Sequence, residues 1–321
     1  MKLKKFVEHK FDWDVTGLEA YVDEQSEDFY PELVKRSPSM GLMTVMENVK
    51  NKEEIKLIAT DANLQSAADC GFNASGGIIL TDKQIETKRI KIEESYCNED
   101  LVGTWGQIVL AAGAHAQDEE MPFADVLMAL YLKKVAARNE TIIWQGDTDS
   151  MNTNLLYFNG FIKLLDADGS VLEANESGTT SITDSNAMTI LRTVADKIPT
   201  AVLDEGNVIV VGGRETYTKA LNQLYSENKF HYNIDEDEGR SFMIPGKRVR
   251  FYHVEGLDGK DKVYAIPTNL AFIGTDRESD MNDIRMWYSN DDDLIKVSIK
   301  WRLGVQYVYS EYFVKFTLAT S

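Results

Sequence analysis

Residues 121–150 read MPFADVLMALYLKKVAARNETIIWQGDTDS. The first part, taken with the acids from Asp118, predicts a long helix. Acids and Pro122 stand in its first turn, where a missing amide proton does no harm and negative charge meets the positive end of the peptide dipoles. Phe123, Val126, Leu127, Leu130 and Tyr131 recur along one helical face and are expected to be buried, while Lys133, Lys134 and Arg138 complement the carbonyl end. The helix runs into IIW. The aspartates Asp147 and Asp149 are therefore expected at a helix exit rather than at the carboxyl end of a parallel strand.

Working outward, residues 1–45 are mixed and strongly charged, with a helix expected in GLEAYVDEQSEDFYPELVKR that stops near Ser37-Pro38. From Glu54 to Ile92 short apolar bursts, IKLIA, GGIIL and IKI, alternate with polar and Gly-rich segments such as NASGG and TDKQIETKR. This is the pattern of an extended hairpin reaching away from a core and packing on something else, such as another copy of the chain. Downstream, Asn186 to Ile198 predicts an amphipathic helix through Met188, Leu191, Val194 and Ile198, capped by Asp184 or Ser185. GNVIVVGG predicts a buried strand and RETYTKALNQLYSEN a helix. RVRFYHVEG and KVYAIPTNLAFIG add strands, so Thr183 to Gly274 reads as an α/β lobe. DIRMWYS, LIKVSIKWRLGV and YVYSEYFVKF, with the turn SNDDD after the first, predict an antiparallel sheet at the C-terminal end.

Composition bounds the function. The 321 residues are 43% hydrophobic and 27% charged, ordinary for a folded chain of about two lobes. There is no run of about 18 apolar residues to span a bilayer, and the basic start MKLKKFVEHKFDWD lacks the apolar centre of an export signal, so a cytoplasmic site of synthesis is expected. Thirty-four basic residues against 52 acidic ones give a net charge of −18, which repels phosphate backbones and argues against a dedicated nucleic-acid binder. Cys70 and Cys97 have neither CxxC spacing nor a histidine cluster; they are expected to be small buried hydrophobes, not a disulfide or a zinc site.

Several motifs could carry chemistry. Asp147 and Asp149 after an apolar run resemble the nucleophile and acid of haloacid-dehalogenase-like phosphotransferases, which would make the chain a magnesium-dependent enzyme. That chemistry also needs a lysine and a further acidic pair after later strands, and Asp291 to Asp293 lie in the wrong context. The bland reading, a polar turn, is favoured. Neither DTDSMN nor DADGSV places calcium ligands at the required spacing. VIVVGGRET could offer backbone amides to a phosphate, yet fits no Gly-rich fingerprint, so glycine ending a strand before a helix is the preferred reading. His9, His115, His231 and His253 are scattered, and no GxSxG occurs, so no nucleophile and base are nominated. The acidic run DEDEG, Asp235 to Gly239, is expected to be solvated. Trp287, Trp301, Tyr307, Tyr309, Tyr312 and Phe313 are expected in sheet core or subunit contact, not as a stacking platform. No catalytic, cofactor or metal residue is assigned.

The order of these parts resembles the major capsid proteins of tailed bacteriophages, the Hong Kong 97 type of fold. AADCGFNASGGIILTDKQIETKRIKIEESYCNEDLVGTW is similar to the extended loop and its return, and MPFADVLMALYLKKVAARNETIIWQGD to the spine helix and its exit. YFNGFIKLL, VIVVGGRETYTKAL and the aromatic C-terminal strands are similar in kind and order. The resemblance implies an α+β fold with an N-terminal arm over 1–50, an extended loop over 51–95, a peripheral domain over 96–150 and 275–321, and an axial α/β domain over 151–274. It implies a structural protein that forms hexamers and pentamers of an icosahedral virion shell around double-stranded DNA, made in the host cytoplasm, with scaffold, portal and decoration proteins as further partners. It places Asn73, Ser75, Gly76 and Gly77 over a neighbouring subunit, and Asp291, Asp292 and Asp293 near junctions between capsomers. Some family members crosslink neighbouring subunits through a lysine and an asparagine; Lys83, Lys88 and Lys91 lie in or beside the extended loop, but lysines there are expected on solvent grounds, which is the favoured reading. The short arm from Met1 leaves little room for a cleaved scaffolding segment. Encapsulin nanocompartment shells, which enclose enzymes, are the alternative within the same fold.

Overall fold

The long helix is present and extends beyond its amphipathic part. It spans Phe123–Gln145, so that TIIWQ forms its last turns and GDTDS the turn that follows. The computed structural model describes residues 37–60, 78–97, 123–227, 240–276, 284–292 and 294–319. The expected arm helix, the loop tip with Cys70, Asn73, Ser75, Gly76 and Gly77, the run DEDEG, His9, His115, His231 and Asp293 lie outside the described residues.

In chain order the elements are α1 (Pro38–Leu42), β1 (Thr44–Met46), β2 (Lys52–Thr60), β3 (Ile78–Glu86), β4 (Lys88–Cys97), α2 (Phe123–Gln145), α3 (Phe161–Ala167), β5 (Leu172–Glu173), α4 (Ala187–Lys197) and α5 (Thr200–Leu203). They continue as β6 (Val208–Gly212), α6 (Arg214–Ser226), β7 (Ser241–Met243), β8 (Arg250–His253), β9 (Val263–Pro267), β10 (Ala271–Thr275), β11 (Ile284–Ser289), β12 (Leu294–Tyr307) and β13 (Val314–Phe316). Short 3-10 turns lie at Glu255–Leu257 and Ser310–Tyr312. Pro38 opens α1, sitting in its first turn, where it has no amide bond to lose.

The chain divides into two units. The first holds residues 89–136 and 276–301. Here β11 and the first half of β12 pair antiparallel from Ile284↔Ile299 to Ser289↔Leu294, closing on the turn that contains Asp291 and Asp292. Met286, Ile295, Val297, Ile299 and Trp301 are buried at every second position, as a half-buried sheet requires. Tyr131 is buried as expected, but its neighbour Leu130 is 55% exposed. The buried positions of α2 then follow Leu132, Val135 and Ala136, a stripe offset from the one that the apolar residues mark. Cys97, expected to be buried, is exposed at the end of β4.

The second unit holds residues 37–88, 137–275 and 302–321. Its main sheet runs β5-β13-β9-β6-β8-β7. VIVVG of β6 is buried throughout and lies between parallel β8 and antiparallel β9, which makes it the central strand that its unbroken apolar run implies. Helices α4 and α6 close one core with this sheet through Met188, Leu191, Val194, Tyr217 and Leu224, against Val210, Phe251, Val263 and Phe316. Asn186, not Asp184 or Ser185, precedes α4, and its side chain accepts the amide of Thr183 at 2.7 Å.

Two strands sit differently from the expectation. LAFIG of β10 leaves the α/β lobe and pairs with the second half of β12, Ala271↔Tyr307 to Thr275↔Leu303, with β1 parallel on its other edge. YFVKF does not complete the C-terminal sheet; its β13 joins the six-stranded sheet between β9 and β5. Period-2 alternation reports that a strand has a buried face and is silent on which sheet supplies it. Pro267 ends β9 with no amide to donate, and the turn closed by Leu270 N–H onto the Pro267 carbonyl at 3.1 Å separates β9 from β10.

Candidate assembly interface

The expected extended hairpin is formed by β2 and β3, nine paired residues on each side from Lys52↔Glu86 to Thr60↔Ile78. At about 3.3 Å per residue, each strand is about 30 Å long. Lys52, Glu53, Glu54 and Lys56 of β2 are exposed, and only Ile55 in that described stretch is buried. A ribbon of two strands is marginal in water without packing partners. Its root supplies them: Ile55 and Ile85 join Val49 and Val308 in a small core.

Polar and glycine contacts fix the same root. Thr87 donates its hydroxyl to the Val49 carbonyl at 2.8 Å and its amide to Asn51 at 2.8 Å. Gln306 Nε2 donates to the Gln84 carbonyl at 2.8 Å. Lys83 Nζ lies 3.9 Å from the centre of the Tyr307 ring, and burial holds its pKa below the usual lysine range despite the pull of Asp168 and Glu311. A Cβ on Gly304 would meet the Glu86 carbonyl oxygen at 2.1 Å, and one on Gly274 would meet Ile85 Cδ1 at 2.9 Å. The hairpin thus crosses β10 and β12 where both lack side chains. Hydrophobic periodicity does not reveal this clamp; glycine within a strand pattern, in RLGV and AFIG, is the signal for such close approach.

Of the loop residues assigned to subunit contact, Asn73, Ser75, Gly76 and Gly77 lie outside the described residues. Asp291 and Asp292 are exposed in the turn between β11 and β12. Asp292 accepts from the Lys296 ammonium and from Ser289 Oγ, the latter at 3.1 Å, and the lysine contact holds its carboxyl below the ordinary range. The turn is therefore less negative than its three aspartates imply. Lys88 and Lys91 pair with Glu86 and Glu93 on their own strand or its neighbour.

The helix exit explains GDTDS. A Cβ on Gly146 would meet the Phe158 carbonyl oxygen at 2.5 Å, and one on Gly160 would meet the Trp144 carbonyl oxygen at 2.5 Å. Gly160 N–H donates to Gly146 at 2.8 Å and Asp147 N–H to Leu155 at 2.8 Å, which closes residues 147–159 into a loop. Asp147 Oδ1 accepts the amide of Asp149 at 2.9 Å, an Asx turn, and Lys163 bridges both carboxylates. A lysine is thus beside the aspartate pair, but Asp149 is 84% exposed, and no group of three or more metal-ligating side chains occurs among the described residues.

The remaining motifs are structural. Asp258 Oδ1 accepts the Arg214 amide at 2.7 Å at the start of α6, so a carboxylate of the chain itself occupies the place where VIVVGGRET could have received a phosphate. His253 Nε2 lies 3.0 Å from the same oxygen. In DADGSV, Asp168 accepts from the Ser170 amide at 2.9 Å and from the Tyr307 hydroxyl at 2.7 Å, and these bonds, the backbone one first, draw its pKa down to about 2. Trp301, Tyr307 and Phe313 are buried, which places them in core.

No protein-family model matches the sequence, and no curated protein does. Solved structures match along nearly the whole chain. A chain of the satellite phage P4 procapsid, in a structure that includes the size determination (Sid) protein, superposes with a TM-score of 0.60 at 11% identity, over 92% of this chain and 90% of its own. The capsid of an empty GTA particle gives 0.56 at 10% identity, over 89% and 90%, and that of the cyanophage P-SCSP1u 0.52 at 11% identity, over 87% of each. The fold is that of the phage capsid proteins. At such low identity, what the two sides share is the fold, a mix of helix and sheet.

Proposed function

We propose that the chain is a major capsid protein, a structural subunit that assembles with copies of itself, as hexamers and pentamers, into an icosahedral shell around double-stranded DNA. The observation that carries this is the match to capsid chains over about nine-tenths of both partners. In this reading residues 51–95 form the extended loop, and Asn73, Ser75, Gly76 and Gly77 rest on a neighbour. Residues 151–274 form the axial domain that converges at capsomer centres. Residues 1–50 are the arm, and 96–150 with 275–321 the peripheral domain, except that β13 adds to the sheet of the axial strands.

Asp291, Asp292 and Asp293 meet other copies at junctions, where Lys296 offsets part of their repulsion. Scaffold, portal and decoration proteins are the further partners, and the work of the chain is contact, not catalysis. Many modest contacts, each ordering a loop on a neighbour, make subunit stability inseparable from the shell.

Sedimentation velocity of the untagged chain tests this. Discrete species of five or six subunits, or closed shells, are expected. If Asp147→Asn instead abolished a magnesium-dependent phosphoryl turnover in a chain that stays a small oligomer, the structural reading would fail.

A further inference from the structure

Glu140 is a carboxylate on the buried side of α2, only 1% exposed. Its partners all come from the start of the described chain. Oε1 accepts the Ser39 hydroxyl at 2.6 Å, while Oε2 accepts the Ser39 amide at 3.2 Å and the Ser37 hydroxyl at 3.4 Å. One turn on, Trp144, fully buried, donates Nε1 to the same Ser39 oxygen at 2.7 Å. Gly256 packs against the same turns of the helix, where a Cβ would meet the backbone carbonyl oxygen of Glu140 and Trp144 Cδ1, each at 2.3 Å. No cation forms an ion pair with Glu140 among the described residues. The charged group that faces it is another acid, Glu255, from the 3-10 turn; residues 37–42 carry no titratable side chain.

A buried carboxylate without a cation is expensive when ionised and inexpensive when protonated. With its proton, Oε2 can donate to Ser37 Oγ while Oε1 keeps the Ser39 hydroxyl, so both hydroxyl contacts survive without a buried charge. We propose that Glu140 is a protonation-controlled latch that fastens residues 37–42 to the long helix, closed when the carboxyl carries its proton and loosened when it is ionised. Burial, opposed by the Ser39 bonds and helped by Glu255, pushes its pKa up to about 7 from an ordinary 4.5. The raised value sets the sign: the closed latch holds the proton more tightly than the open one. Its stabilisation is complete below about pH 4.5 and is lost as pH rises through about 7. The latch stands apart from the shell reading, since every contact lies within one chain.

Hydrogen exchange followed by mass spectrometry on the full chain tests it. The amides of Met40 and Met43, bonded to the Ser37 and Ser39 carbonyls, are read at pH 6 and pH 8.5 after correction for intrinsic rates, with β6 as an internal control. The wild type is expected to exchange about tenfold faster at pH 8.5 at these amides, with β6 unchanged. Glu140→Gln, which keeps the shape and cannot ionise, is expected to remain equally protected at both values. Ser39→Ala, which removes a donor to the carboxylate, is expected to move the midpoint to higher pH. Protection in the wild type that does not change with pH, an equal rise in Glu140→Gln, or a midpoint that stays or falls in Ser39→Ala overturns the latch.

Discussion

Gly304 shows how one position ties the hairpin to its platform. Any side chain there would enter the space of the Glu86 carbonyl. Gly304→Ala is therefore expected to lower stability by about 1–3 kcal/mol through displacement of the hairpin root, read as a lower midpoint of chemical denaturation. A second prediction rests on Asp168, whose pKa is drawn down to about 2 by the Ser170 amide and then the Tyr307 hydroxyl. A lowered carboxylate contributes stability above its ordinary value near 3.8 and loses it as pH falls toward 2. Tyr307→Phe keeps the buried ring and removes one donor, so acid unfolding followed by circular dichroism should begin at higher pH; an unchanged acid midpoint would contradict that assignment. At this scale the sequence is legible in part. Gly146 and the polar residues after it announce the helix exit, and the aspartates behave as a turn. Glu140 is not legible, because an acid between Asn139 and Thr141 has the look of a solvated helix residue until α1 is placed over it. Lys83 is similar: a lysine in an extended loop reads as solvated, and only the fold brings the Tyr307 ring beneath it.

Among the elements, the long helix, the central strand VIVVG, the helix after it and the extended hairpin follow from periodicity and from Gly and Pro punctuation. What periodicity could not assign was sheet membership. β10 and β13 have the alternation expected of them and sit in each other's anticipated sheet, since pairing depends on chain segments far away in sequence. The buried stripe of α2 was offset for a related reason, because Leu130 is apolar yet exposed. The hairpin carries the next prediction. Replacing residues 61–77 by Asn-Gly, which suits a two-residue turn between Thr60 and Ile78, is expected to leave circular dichroism and the denaturation midpoint nearly unchanged while removing assembly. If the shortened chain assembles like its parent, the loop tip is not a subunit contact.

For the molecule as a whole, charge and fold act together. A net charge of −18 on each copy repels other copies at long range, while the contacts proposed for assembly are short. Salt is therefore expected to promote assembly, visible as rising scattered intensity between about 0.05 and 0.5 M, where the screening length falls from about 14 to 4 Å; a steady fall would show that attraction between opposite charges governs association instead. The measurement that tests the central claim most directly is electron microscopy of the purified, untagged chain over that salt range. Closed shells, or rings of five and six subunits, are the predicted result, and a uniform monomer or dimer at every salt concentration would contradict it.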